Sequence, residues 1–170
     1  EGTALPVTAN ATRQLAEKVR TVPEVRALTT YVGTASPFNF NGMVRHYYLR
    51  EKPWQADILI NLLNKNQRER SSHQIAVATR DKLTPIAERL GADIQVVEMP
   101  PGPPVRQTVV AEVYGHDAGA RRQVARDMTA MFEDVPNLVD VDNYMAAPHR
   151  ELEFDVNKEK AKRNGLTQKT

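Results

Sequence analysis

Residues 100–104 read Pro-Pro-Gly-Pro-Pro, and four of the chain's eleven prolines stand there. Proline fixes φ and removes a backbone donor, so this stretch forms neither a helix nor a central strand and tends to a stiff, extended form. It divides the 170 residues into a first unit, 1–99, a spacer, 100–105, and a second unit, 106–170. Both units fall at the small end of domain sizes, roughly 60–100 residues. A proline-rich ligand for an aromatic groove is the rival reading. The stretch is short, uncharged and set between strand-like segments, which favours a spacer.

In the first unit Ala11, Leu15, Val19 and Val22 recur at helical spacing and predict a helix over 8–22. Thr8 or Asn10 would cap it and Pro23 would stop it. β-Branched residues predict a strand over 25–32. Residues 33–45, GTASPFNFNGMVR, read as a loop, followed by strands at 46–49 and 56–63. A helix over 72–90 opens at Ser71 or Ser72 and is closed by Gly91, with a kink expected at Pro85. Alternation predicts a strand over 93–99. In the second unit the pattern predicts a strand over 108–114 and a helix from Asp117 to about residue 135. That helix carries Val124, Met128, Met131, Phe132 and Val135 on its apolar stripe, read here as core. Strands follow at 138–144 and 151–156, then a basic, helix-like tail.

The units repeat one another. Val22-Pro23-Glu24-Val25 matches Val135-Pro136-Asn137-Leu138 at an offset of 113 residues. At that offset Leu15 meets Met128, Val19 meets Phe132 and Tyr31 meets Tyr144. In both places an amphipathic helix ends at a Val-Pro turn and a strand follows, as duplication would leave them. The fold class expected is α+β: two ferredoxin-like units of the β-α-β-β-α-β type, with antiparallel or mixed sheets and helices on one face. The first lacks its opening strand and the second its last helix and strand, so the chain is expected to be a fragment of a longer protein.

Several function classes lose support. With no cysteine there is no disulfide framework, thiol nucleophile or cysteine-based zinc site. No apolar run approaches the ~18 residues of a membrane helix, and no signal-peptide pattern opens the sequence. The net charge is +2, but residues 157–170 hold five basic groups against Glu159, so the remainder is net −2. The basic character belongs to the tail and not to a nucleic-acid or membrane face. Tyr47-Tyr48-Leu49-Arg50 lacks the glycine–aromatic pattern of an RNA-binding strand. His46, His73, His116 and His149 form no pair at zinc-ligand spacing, and His116-Asp117 reads as a helix-start turn. Asp140 and Asp142 share a strand face and read as solvated carboxylates. No catalytic constellation emerges; neither enzymatic activity nor a cofactor or metal is expected.

The loop at 33–45 stands apart. Phe38 and Phe40 lie in a Gly/Asn/Ser setting between Gly33 and Gly42. Two readings are open: the rings contact apolar ligands or form a gate, or the loop folds back and buries them.

The order of helix, Val-Pro turn, strand, GTASPFNFNG loop, charged strand pair, helix, spacer, TVVAEVYG and ELEFDVNKEKAKRNGLT resembles the large periplasmic loop of resistance-nodulation-division (RND) efflux permeases, the AcrB-like family. The closing segment is the most specific part: a strand over 151–156, then a helix with Glu159, Lys160, Ala161 and Asn164-Gly165-Leu166. The resemblance implies the porter subdomain PC1 and the start of PC2, built as ferredoxin-like units, in a homotrimeric, proton-driven inner-membrane pump. It implies a periplasmic location, amphiphilic or hydrophobic small-molecule substrates, and partnership with a periplasmic adaptor and an outer-membrane channel. The fragment itself would be soluble, and the proton-coupling residues would lie outside it.

The resemblance also places Gly33, Phe38, Asn39, Phe40, Asn41, Gly42 and Arg45 in a switch loop on the substrate path, Phe38 and Phe40 at its phenylalanine positions. Asn39, Asn41 and Arg45 would orient polar groups of the substrate. Ser36, Pro37 and Asn39 depart from the glycine-richer family loop, and Pro37 stiffens it. The alternative is a soluble small-molecule-binding regulatory module of paired ferredoxin-like units.

Overall fold

The computed structural model describes residues 1–37, 39–99, 108–143, 145, 150, 152, 153 and 155–165. Helix α1 spans Leu5–Val19. It starts three residues earlier than expected because Pro6 fits its first turn, where no intrahelical N–H is needed. Thr8 and Asn10 therefore do not cap it. The hydroxyl of Thr12 instead donates to the Thr8 carbonyl at 2.8 Å. Its buried face carries Thr8, Thr12, Leu15, Ala16 and Val19.

Strand β1, Val25–Val32, pairs antiparallel with β2, Ala56–Leu62, in a register that runs from Val25 opposite Leu62 to Val32 opposite Ala56. A short helix α2, Phe40–Val44, lies between them. Helix α3, Ser72–Leu90, opens with a full capping box: Ser71 accepts from the Gln74 N–H, and Gln74 accepts from the Ser71 N–H. Gly91 closes it at φ 61°, a left-handed geometry that glycine adopts without a Cβ clash. The helix runs unbroken through Pro85.

Helices α1 and α3 cover one face of the two-stranded ribbon. Leu15, Val19, Leu83 and Ala87 form the buried centre, with Val25, Leu28, Ile58, Ile60, Ile86, Ala92 and Ile94 packed around it. A two-stranded ribbon is marginal alone, so this apolar layer stabilises the sheet. The Arg70 guanidinium adds a fork onto Glu24, at 2.7 and 2.5 Å, joining the start of β1 to the approach to α3. Hydrogen bonding from Arg70 lowers the Glu24 pKa. The contribution of that pair is therefore complete above the ordinary carboxylate range and is lost as pH falls through the lowered value.

Helix α4, Ala118–Glu133, is capped by Asp117, which accepts from the Ala120 N–H at 2.6 Å. Helix α5, Lys158–Arg163, is capped by Asn157. The repeated Val-Pro turn makes the same backbone hydrogen bonds in both places, although Asn137 is left-handed at φ 71° and its counterpart Glu24 is not. Val22 N–H donates to Val19 and Val25 N–H to Val22; Val135 N–H donates to Phe132 and Leu138 N–H to Val135, all at 3.0–3.2 Å.

The architecture is thus mixed α/β, with helices on a two-stranded antiparallel sheet among the described residues. Several expected strands are corrected. Residues 47–49 form a 3-10 turn, because His46 takes φ 59° and reverses the chain. The loop over 33–45 ends in α2 rather than running irregularly throughout. Residues 93–99 and 108–114 join no ladder. Neither do the described residues of 138–144, where Asp140 turns left-handed at φ 56°. Period-2 alternation supplies a two-faced segment, but a strand also needs a hydrogen-bonding neighbour. The spacer at 100–105 lies outside the described residues, as do Glu151 and Phe154 of the expected strand at 151–156.

Leu83 is buried beneath the sheet, whereas Val77 on the same helix is 40 % exposed. Leu83→Ala is expected to destabilise the fold by about 2–5 kcal/mol, and Val77→Ala by less than about 0.5 kcal/mol. Urea midpoints at unchanged m value check the contrast.

Candidate functional site

The connection between β1 and β2, residues 33–55, is where the candidate residues meet. Gly33 begins it at φ 68°, and its N–H donates to the Gln55 carbonyl at 2.8 Å, extending the ribbon by one rung. A Cβ at Gly33 would stand 2.7 Å from Cδ1 of the exposed Leu5 side chain, which can swing aside; the left-handed backbone is what favours glycine.

Asp57, on β2, fastens the connection. One carboxylate oxygen accepts the Ser36 N–H at 3.1 Å; the other pairs with the Arg50 guanidinium. The Asp57 side chain is only 12 % exposed. Arg50 also stacks over the Tyr47 ring, its guanidinium carbon 4.0 Å from the ring centroid. One side chain of the sheet thereby holds both ends of the excursion from 36 to 50.

Inside this bracket the chain is locally ordered. Asn39 accepts the Gly42 N–H with its side chain, at 2.7 Å, and the Met43 N–H with its carbonyl, at 2.9 Å. That is a capped helical turn. Gly42 is buried and close-fitted: a Cβ there would stand 3.3 Å from Asn39 Oδ1. The turn presents Phe40 outward, 62 % exposed, beside exposed Met43. Among the described residues Arg45 Nε and the Tyr47 hydroxyl, both buried, find no hydrogen-bond partner. Such groups carry a desolvation cost until an acceptor reaches them.

Of the expected site residues, Asn39, Phe40, Gly42 and Arg45 therefore share the bracketed loop, and Gly33 stands at its approach, on the ribbon end. Phe38 lies outside the described residues, as does the side chain of Asn41. Asp57, Arg50 and Ser36 were not among the expected residues. The available signal was the one acidic residue of the mostly apolar run Ala56–Leu62, seven residues after an arginine.

A second polar cluster lies where α3 meets residues 93–96 and 139–142. Arg80 forks onto Asp140 at 3.0 and 2.7 Å and also donates to the Val96 carbonyl at 3.0 Å. Asp142 accepts from Gln95 at 3.2 Å. Asp142 is exposed, as a solvated carboxylate would be, whereas Asp140 is half-buried in its pair with Arg80; neither lies on a strand among the described residues. An open groove of about 330 Å³ runs here, with Arg80, Glu88, Asp93 and Asp140 among its walls. Partial desolvation, then the charges of Asp142 and Asp140, raise the Asp93 pKa. No cluster of His, Asp and Glu suited to a metal ion occurs among the described residues.

The family model described as the AcrB/AcrD/AcrF family matches residues 1–170. The chain belongs to the AcrB/AcrD/AcrF family. No curated protein and no solved structure matches it. Membership makes this a chain of the RND-type efflux transporters. Among the described residues no helix is long and apolar enough to cross a membrane. In this AcrB-family chain, then, the described residues comprise a helix-covered ribbon, a bracketed aromatic loop and an acidic groove.

Two outcomes follow for this family member. Gly33→Ala must adopt a left-handed φ and displace Leu5, and is expected to lower stability by about 1–3 kcal/mol, read as a fall in thermal midpoint. Asp93 has a raised pKa, so the folded chain holds its proton more tightly than the unfolded chain does. Stability is therefore lost as pH rises from the ordinary value of 3.8 through the raised one. Asp93→Asn is expected to flatten the stability–pH profile across that window and leave it unchanged below, as denaturation at stepped pH will read.

Proposed function

We propose that this chain is the periplasmic substrate-binding, porter portion of a proton-driven RND multidrug-type efflux transporter that exports amphiphilic or hydrophobic compounds. The observation that carries the reading is an exposed phenylalanine held on a fastened loop in a chain of the AcrB/AcrD/AcrF family. Phe40 offers apolar area to a passing molecule. Burying such a ring against a ligand contributes about 1.5–3 kcal/mol. Asn39, Asn41 and Arg45 would orient polar groups of the substrate. Binding of this kind needs no covalent step, and the chain is read as non-enzymatic. Export works through alternation between conformations that bind the substrate unequally.

In this proposal the helix-covered ribbon belongs to a PC1-like, ferredoxin-like unit over 1–99, and residues 106–170 begin a PC2-like unit. The matching turns at Val22–Val25 and Val135–Leu138 support duplication. The parent works as a homotrimer with a periplasmic adaptor and an outer-membrane channel, and Phe38 joins Phe40 in the gate.

The test is Phe40→Ala, alone and with Phe38→Ala, in the transporter that carries this chain. Export of a large amphiphilic dye is expected to fall about tenfold or more at limiting substrate, from the lost apolar contact. Unchanged export in the double variant, at equal protein level, would sink the gate.

A further inference from the structure

The proposal here rests on the loop reading above and adds a residue to it. We infer that Asp57 is the positioning residue for that loop: its carboxylate sets the conformation of residues 36–50 and thereby the presentation of Phe40 to substrate.

The connection from β1 to β2 is long, and an untethered loop of this length spreads over many conformations. Three features limit it. Gly33 and Gln55 close the ribbon end. Ser36 and Arg50 then converge on one side chain. Finally, the Arg50 guanidinium carbon stands 4.0 Å over the Tyr47 ring, so the pair reaches the 3-10 turn that follows α2. Asp57 sits opposite Tyr31 in a paired register, on the part of the molecule backed by the core. Its position is fixed by the sheet, and the loop's is fixed by Asp57.

The chemistry suits a holding group. A carboxylate has acceptor sites for both a backbone N–H and a guanidinium. Charge-assisted bonds of this kind are roughly twice as strong as neutral ones. Removing either partner breaks one unit, because the remaining charge loses its counter-ion. Asparagine at 57 keeps an acceptor for Ser36 but has no charge for Arg50. Asp57 does not reach the substrate; it acts through Ser36, Arg50 and Tyr47.

The experiment uses the whole transporter, made free of other cysteines, with a nitroxide on Phe40→Cys; these 170 residues contribute no cysteine of their own. In the parent the label is expected to give an ordered spectrum. Asp57→Asn and Arg50→Gln should each mobilise it, and the double variant should be no more mobile than either single one, the signature of one coupled pair. With Phe40 restored, each of the three should raise the half-saturating dye concentration for export about tenfold, while the maximal rate holds. A merely structural role would lower protein level and maximal rate instead.

Ordered label spectra in Asp57→Asn, or additive effects in the double variant, would overturn the inference. So would a mobilised label with unchanged half-saturation, provided that Phe40→Ala does impair export. If Phe40→Ala has no effect, the gate reading has failed; the spectra then still decide whether Asp57 holds the loop.

Discussion

A single carboxylate, that of Asp57, ties the least regular part of this molecule to its most regular part. The sheet beneath it is only two strands wide and owes its persistence to Leu15 and Val19 of α1 and Leu83 and Ala87 of α3. That apolar layer holds β2 in place; β2 holds Asp57; Asp57 holds Ser36 and Arg50. Conformational entropy opposes ordering any long loop. Here it is offset at two points by charge-assisted or backbone hydrogen bonds to one acceptor, and the intervening turn is closed locally by Asn39. The exposed ring of Phe40 is therefore an outward face of an ordered turn.

Elements whose information is local were legible from sequence. The strand at 25–32, the helix opened by Ser71 and closed by Gly91, and the helix opened by Asp117 all carry their signals within a few residues. Leu15 and Val19 were placed on a core stripe and are buried. What failed needed a neighbour. Residues 46–49 read as a strand, yet His46 turns left-handed and the segment curls instead of pairing. Residues 93–99 lie beside α3, with the Val96 carbonyl bound to Arg80 and not to a strand.

The site was legible in part for the same reason. Glycines, asparagines and phenylalanines between 33 and 45 mark a loop by composition alone, and the family resemblance singled it out. The group that fastens the loop sits beyond it, 21 residues from Ser36. No period or spacing rule links such a pair. Only the antiparallel register of β1 and β2 brings them together. The α4 stripe shows the complementary limit. Its spacing matches α1 and its exit turn repeats the same hydrogen bonds, but Met131 remains 66 % exposed, because spacing alone cannot supply the surface a stripe packs against.

The most direct measurement is amide hydrogen exchange at Ser36, read beside Gly33 and Gly42. All three N–H groups donate within or at the edge of the loop, to Asp57, Gln55 and Asn39 respectively. A loop fastened by Asp57 should slow exchange at Ser36 well below the free-peptide rate and release it in Asp57→Ala, while Gly42, bonded locally, changes less. Exchange at Ser36 at the free-peptide rate in the unaltered protein would contradict the account.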